Sequence, residues 1–149
     1  MSNLIKNPRE YVAQFTSLKE QFKQLMRFDI QDPTTDRKHW ADRFNAFLAD
    51  CNEAMYTHHL RSKEHDLQRV AHSGILAPAM QAKGLIQELP TARKQYFFFY
   101  SHVSTAAQEC RDGAKMGEIV AHLGAADVSL QKLCDFDLRL NSFVSKFAA

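Results

Sequence analysis

Pro90-Thr91-Ala92-Arg93-Lys94-Gln95-Tyr96-Phe97-Phe98-Phe99-Tyr100 sets five aromatic rings in a row behind a helix-start signal. Proline suits the first turn of a helix, where an amide N–H has no intrahelical partner to lose. Successive helical residues lie about 100° apart, so five rings in a row cover every side of the rod. A lone surface helix would leave some of them in water. The helix is therefore central in its fold or shared with a partner. Tyr96, Phe99, Val103, Ala106 and Cys110 make one inner stripe. Phe97, Phe98 and Tyr100 point elsewhere and need a second cover. Burying one large apolar side chain stabilises by about 1.5–3 kcal/mol, so leaving two or three uncovered is costly. Another helix of the same chain can supply the cover; so can a second copy, a partner helix or an apolar ligand. Arg93 and Lys94 sit where they could form a polar rim or a plain solvated first turn.

Working outward, the same helical period recurs. Asn7-Pro8-Arg9-Glu10 reads as a cap and first turn, and Tyr11, Phe15, Leu18, Phe22 and Leu25 follow at spacings of three and four. Gln31 to Asp36 reads as a turn. Trp40, Phe44, Phe47, Cys51, Ala54/Met55 and His58 then form a second stripe, which Ser73-Gly74 ends. Pro78 opens a short helix, and Asp112-Gly113 closes the aromatic one. Met116, Ile119 and Leu123 lead to a kink or break near Gly124, and Leu130, Leu133, Phe136, Leu140, Phe143 and Phe147 make the last stripe. Nothing alternates with period two for long enough to be a strand. The expectation is an all-α fold, a single-domain helical bundle of five or six helices over roughly 8–29, 36–72, 78–88, 91–111, 114–123 and 127–147.

Composition agrees. At 149 residues the chain suits one domain, and folding at this size buries about 70% of the unfolded surface. Its 19 basic and 17 acidic side chains are mixed along the length, without the basic block of many nucleic-acid binders. Cys51, Cys110 and Cys134 are odd in number and far apart, which argues against a disulfide framework. The N-terminal residues lack the apolar stretch of a signal peptide, and no run reaches membrane-spanning length. The expected location is cytoplasmic, with no membrane partner.

Histidine is the most suggestive polar residue. His58, His65 and His72 are seven apart and share a helix face that continues the aromatic stripe, while His59 lies beside them. Seven residues rise about 10.5 Å, too far for two imidazoles to share an ion. None of these four has a His, Asp or Glu three or four residues away. Glu118 with His122, and Asp36, His39 and Asp42, are better spaced, but surface hydrogen bonds explain such pairs. The arginines and lysine around Trp40 (Arg37, Lys38, Arg43) suggest a cation–aromatic contact or an anion site, against the simpler reading that Trp40 anchors its helix in the core.

Glu-x-x-His, His-Glu-x-x-His, Cys-x-x-Cys-His, the P-loop and Gly-x-Ser-x-Gly are all missing from the sequence. The expectation is that the chain is not an enzyme and carries neither metal nor cofactor. The leading reading is a non-catalytic intracellular interaction protein, a regulator, adaptor or inhibitor. Its contact face would hold Tyr96, Phe97, Phe98 and Tyr100, and its partner would be another protein or a second copy in a homodimer. One alternative is a small-molecule or haem-binding carrier with an interhelical pocket edged by His58, His65 and His102. The other is nucleic-acid binding through Arg37, Lys38 and Arg43 or Arg93 and Lys94.

Overall fold

The computed structural model describes residues 18–26, 37–51, 53–113 and 115–147. Within them the chain is an all-α bundle of helices with no strand. Residues 18–25 form α1; Arg37–Asp50 is α2, Glu53–Ala71 α3, Leu76–Asp112 α4 and Met116–Phe147 α5. The expected signals at Asn7 to Phe15 and Phe28 to Asp36 lie outside the described residues.

Two long helices make the frame. α4 has 37 residues and α5 has 32, about 55 and 48 Å at 1.5 Å per residue. Gly113 ends α4 in the left-handed region (φ 74°), and its amide donates to the Glu109 carbonyl. Only glycine enters that region without a Cβ penalty, so the chain turns here and α5 returns antiparallel. α4 packs along α5 and against α2 and α3.

Aromatic rings join the shorter helices to this frame. Phe99 of α4 meets Phe22 of α1 at 5.2 Å and Phe47 of α2 at 5.9 Å, both edge to face. Tyr96 stacks on Tyr56 of α3 at 4.5 Å with the rings 14° from parallel. Such geometries add about 0.5–1.5 kcal/mol per pair beyond the area buried. The inner stripe Tyr96, Phe99, Val103, Ala106, Cys110 is buried throughout, as the spacing predicts. Trp40 packs at the core's edge against Phe44, and the Arg43 guanidinium covers its ring at 4.3 Å. The cation–aromatic contact is present, and Trp40 is partly buried at the edge of the core.

Three expected boundaries change. The helix expected over 36–72 is two helices: α2 stops at Asp50, and the Cys51 amide donates to the Leu48 carbonyl at 3.0 Å in a tight terminal turn. Asp50 is a weak helix former, because aspartate side chains compete for backbone groups. The helices expected over 78–88 and 91–111 are one, and Pro90 lies inside it. An interior proline costs about 3 kcal/mol. Leu85, Leu89, Ala92 and Tyr96 are buried on both sides of it, and this continuous apolar face offsets the cost. The break expected at Gly124 is absent, since a mid-helix glycine costs only about 1 kcal/mol. Leu123 and Ala126, both buried, hold α5 together across it.

Candidate functional site

The aromatic run divides as its angular spread requires. Tyr96 is 1% exposed and Phe99 2%, whereas Phe97 is 54%, Phe98 47% and Tyr100 36% exposed. Tyr96 is thus a core residue and cannot be a surface contact, which corrects its place on the expected face. Tyr100 does not line the groove that the other two rings border. Phe97 and Phe98 lie side by side, centroids 6.2 Å apart, on one wall of a groove between α3 and α4.

The groove has a volume of about 630 Å³. Leu60 of α3 and Ile86, Leu89, Phe97 and Phe98 of α4 give it an apolar lining. Arg61 and Glu64 of α3 and Arg93 and Lys94 of α4 surround that lining with three cations and one carboxylate. Pro90 also lines it. With no N–H at Pro90, the Ile86 carbonyl lacks its usual i+4 donor at this point of α4. Arg93 and Lys94 therefore serve as the polar border of an apolar cleft.

The histidines distribute differently from the expected pocket. His58, His65 and His72 are all exposed on α3. The interruption after Asp50 resets the helical phase, so α3 turns His59 inward in place of His58. His59 is 1% exposed, stacks with Tyr56 at 6.3 Å, and has Nε2 3.4 Å from Asp137 Oδ1 on α5. His102 sits between α4 and α5, with Nδ1 3.2 Å from Nδ1 of His122. His58, His65 and His102 neither converge nor line the groove. His122 Nε2 lies 3.2 Å from Glu109 Oε1, so its carboxylate neighbour comes from α4 and is not the Glu118 suggested by spacing. The pairing of residues 102, 109 and 122 depends on the α4–α5 register, which no local spacing reveals. Asp36 lies outside the described residues; His39 and Asp42 are both exposed.

No thiol among the described residues is activated. Burial pushes Cys51 up to about 12, Asp50 adds to the rise, and a hydrogen bond with Tyr96 opposes it. Burial also raises Cys110 and Cys134, against the opposing charges of Arg37 and Lys19. Thiols held protonated in this way are poor nucleophiles and poor metal ligands. Among the described residues no group of three or more His, Cys, Asp or Glu is placed to hold a metal ion, and no helix is long and apolar enough to cross a membrane. Compared with known families, curated proteins and solved structures, the chain matches none.

Proposed function

We propose that this protein is a non-catalytic interaction protein whose α3–α4 groove receives a helix from a partner protein. The observation that carries this reading is the pair Phe97 and Phe98, about half exposed and adjacent, beside an apolar lining with a mainly cationic border. An amphipathic helix laid in such a groove anchors through residues at i, i+3 or i+4 and i+7. Arg61, Arg93 and Lys94 favour a partner with Asp or Glu flanking those anchors, because opposite charges at a rim steer encounter and set register. Aromatic anchors at the centre of an interface commonly carry most of its binding energy. A regulator, adaptor or inhibitor would use this contact directly. In a homodimer a second copy would fill the groove.

A library of displayed helical peptides, selected on the purified protein, tests the reading. Enriched peptides should carry the i, i+3/i+4, i+7 apolar pattern with acidic flanks. They should lose binding to a Phe97→Ser/Phe98→Ser double variant and weaken on Arg93→Glu/Lys94→Glu. Binders indifferent to both variants would remove the proposal. Sedimentation equilibrium decides between partner and self: a dimer that F97S/F98S dissociates assigns the groove to a second copy.

A further inference from the structure

We propose that the tip joining α3 to α4 docks on an anionic lipid surface, with Ile75, Leu76 and Met80 entering one leaflet and Lys83 and Lys146 resting among its headgroups. The tip shares no residue with the α3–α4 groove. Ile75 is 64% exposed, Leu76 75% and Met80 64%. Leu76 and Met80 are four apart on one face of α4, and Ile75 sits beside them at the N-cap. A single exposed aliphatic residue needs no explanation, but three together at the end of a bundle mark a contact surface. None of the three lines the α3–α4 groove or the cleft between α4 and the end of α5, so they form a protruding knob.

Local stability does not account for these side chains. An N-cap favours Ser, Thr, Asp or Asn, whose side-chain oxygen accepts from a first-turn N–H, and Ile75 makes no such bond. The tip instead closes its own backbone. Gly74 turns the chain in the left-handed region (φ 82°). The Ser73 hydroxyl donates to the Val70 carbonyl at 2.7 Å, and the Ile75 amide donates to Ser73 Oγ at 3.4 Å. Pro78, in the first turn of α4, has no N–H to satisfy. Fewer backbone groups are left for water, which lowers the cost of entering an apolar phase.

Charge selects the partner. No Asp or Glu occurs from Leu67 to Gln87 or from Leu138 to Phe147. Asp66 and Glu88, the acids that bracket the first stretch, form ion pairs with Arg69 at 2.8 Å and Arg139 at 2.7 Å. The end of α5 lies beside the first turns of α4, where Lys146 and Phe147 share a cleft with Gln81 and Gly84. Lys83 and Lys146 therefore stand at the same end of the bundle, behind the aliphatic knob. A second copy docked tip to tip would set these lysines against each other, so the surface suits an anionic phase. Lys83 lies seven residues past Leu76 on the same face, about 10 Å further along α4. That spacing matches an apolar group sunk about 5–10 Å into the boundary between headgroups and acyl chains, with its cations at headgroup level. Each lysine near an anionic leaflet adds to the attraction. The expectation of no membrane partner rested on the missing spanning run, and a tip that dips into one leaflet needs none.

The test incubates the full chain with vesicles of phosphatidylcholine alone, or of phosphatidylcholine with phosphatidylglycerol, and measures the bound fraction by co-sedimentation. Binding is expected on the anionic vesicles only and should weaken as salt is added. I75S/L76S/M80S, at three exposed positions, should lower partition at least about tenfold while leaving helicity unchanged. K83E/K146E should do so by a similar factor. F97S/F98S, which alters the groove, should leave partition unchanged, so the tip and the groove fail separately. If the serine variant loses helicity, the methionine methyl resonances of the wild-type chain decide. Spin-labelled lipid in the anionic vesicles must then broaden Met80 ahead of Met26. No binding to anionic vesicles, binding that survives the serine variant or the lysine reversal, or a dimer in solution that the serine variant dissociates would overturn the proposal.

Discussion

Replacing Phe99 by alanine removes a ring that is 2% exposed and touches rings from α1 and α2 at once. Deletion of a buried phenyl costs about 3–5 kcal/mol, the lost transfer energy plus the cavity left behind. Phe97, two positions earlier, is 54% exposed. Full burial of such a side chain is worth about 1.5–3 kcal/mol, so half burial leaves about 1 kcal/mol to lose. The two substitutions remove the same atoms from neighbouring positions of one helix, so helix propensity cancels in the comparison. The ratio of their costs measures how differently the two rings are covered. For a chain of this size 1 kcal/mol moves Tm by about 2–4 °C, so F99A should lower Tm by about 6–20 °C and F97A by about 2–4 °C. Urea denaturation followed by far-UV circular dichroism gives the same comparison at one temperature. Equal costs would refute the division of the run into a core stripe and an exposed pair, and the groove reading would fail with it.

Alkali should weaken the fold. The Cys51 thiol is raised from 9.0 to about 12, so its contribution is complete below pH 9.0 and is lost as pH rises toward 12. At about 1.4 kcal/mol per pH unit this amounts to about 4 kcal/mol from one thiol. Burial of Tyr56, with Asp137 and Cys134 nearby, raises its phenol too and steepens the loss. Unfolding free energies measured at intervals from pH 8 to pH 11 check this, and C51A should flatten the slope. Gly124→Ala should stabilise by about 0.5–1 kcal/mol, because a Cβ there meets nothing within 4 Å and the helix is continuous. A loss on urea titration would mean that α5 bends at that point. Pro90→Ala should stabilise by about 2 kcal/mol by restoring the amide donor for the Ile86 carbonyl. A lower denaturation midpoint would instead show that the packing of Leu89 and Ala92 depends on the proline.

The helical class, the inner stripe from Tyr96 to Cys110 and the stops at Gly74 and Gly113 were all legible in the order of residues. Each is a local property: a period of three to four apolar positions, or a glycine with φ of 82° or 74° at a helix end. Tertiary packing decided what local signals left balanced. Pro90 and Gly124 look like breaks because each weakens a helix taken alone, yet both lie inside helices whose buried faces run on through them. The interruption after Asp50 rotated α3 and sent His59, in place of His58, into the core. The arrangements that carry the most chemistry, the His102–His122 contact and the groove that Phe97 and Leu60 line together, join residues far apart in the chain. They exist only because α4 settles in one register against α5 and against α3, and burial summed along each pair of helices selects that register.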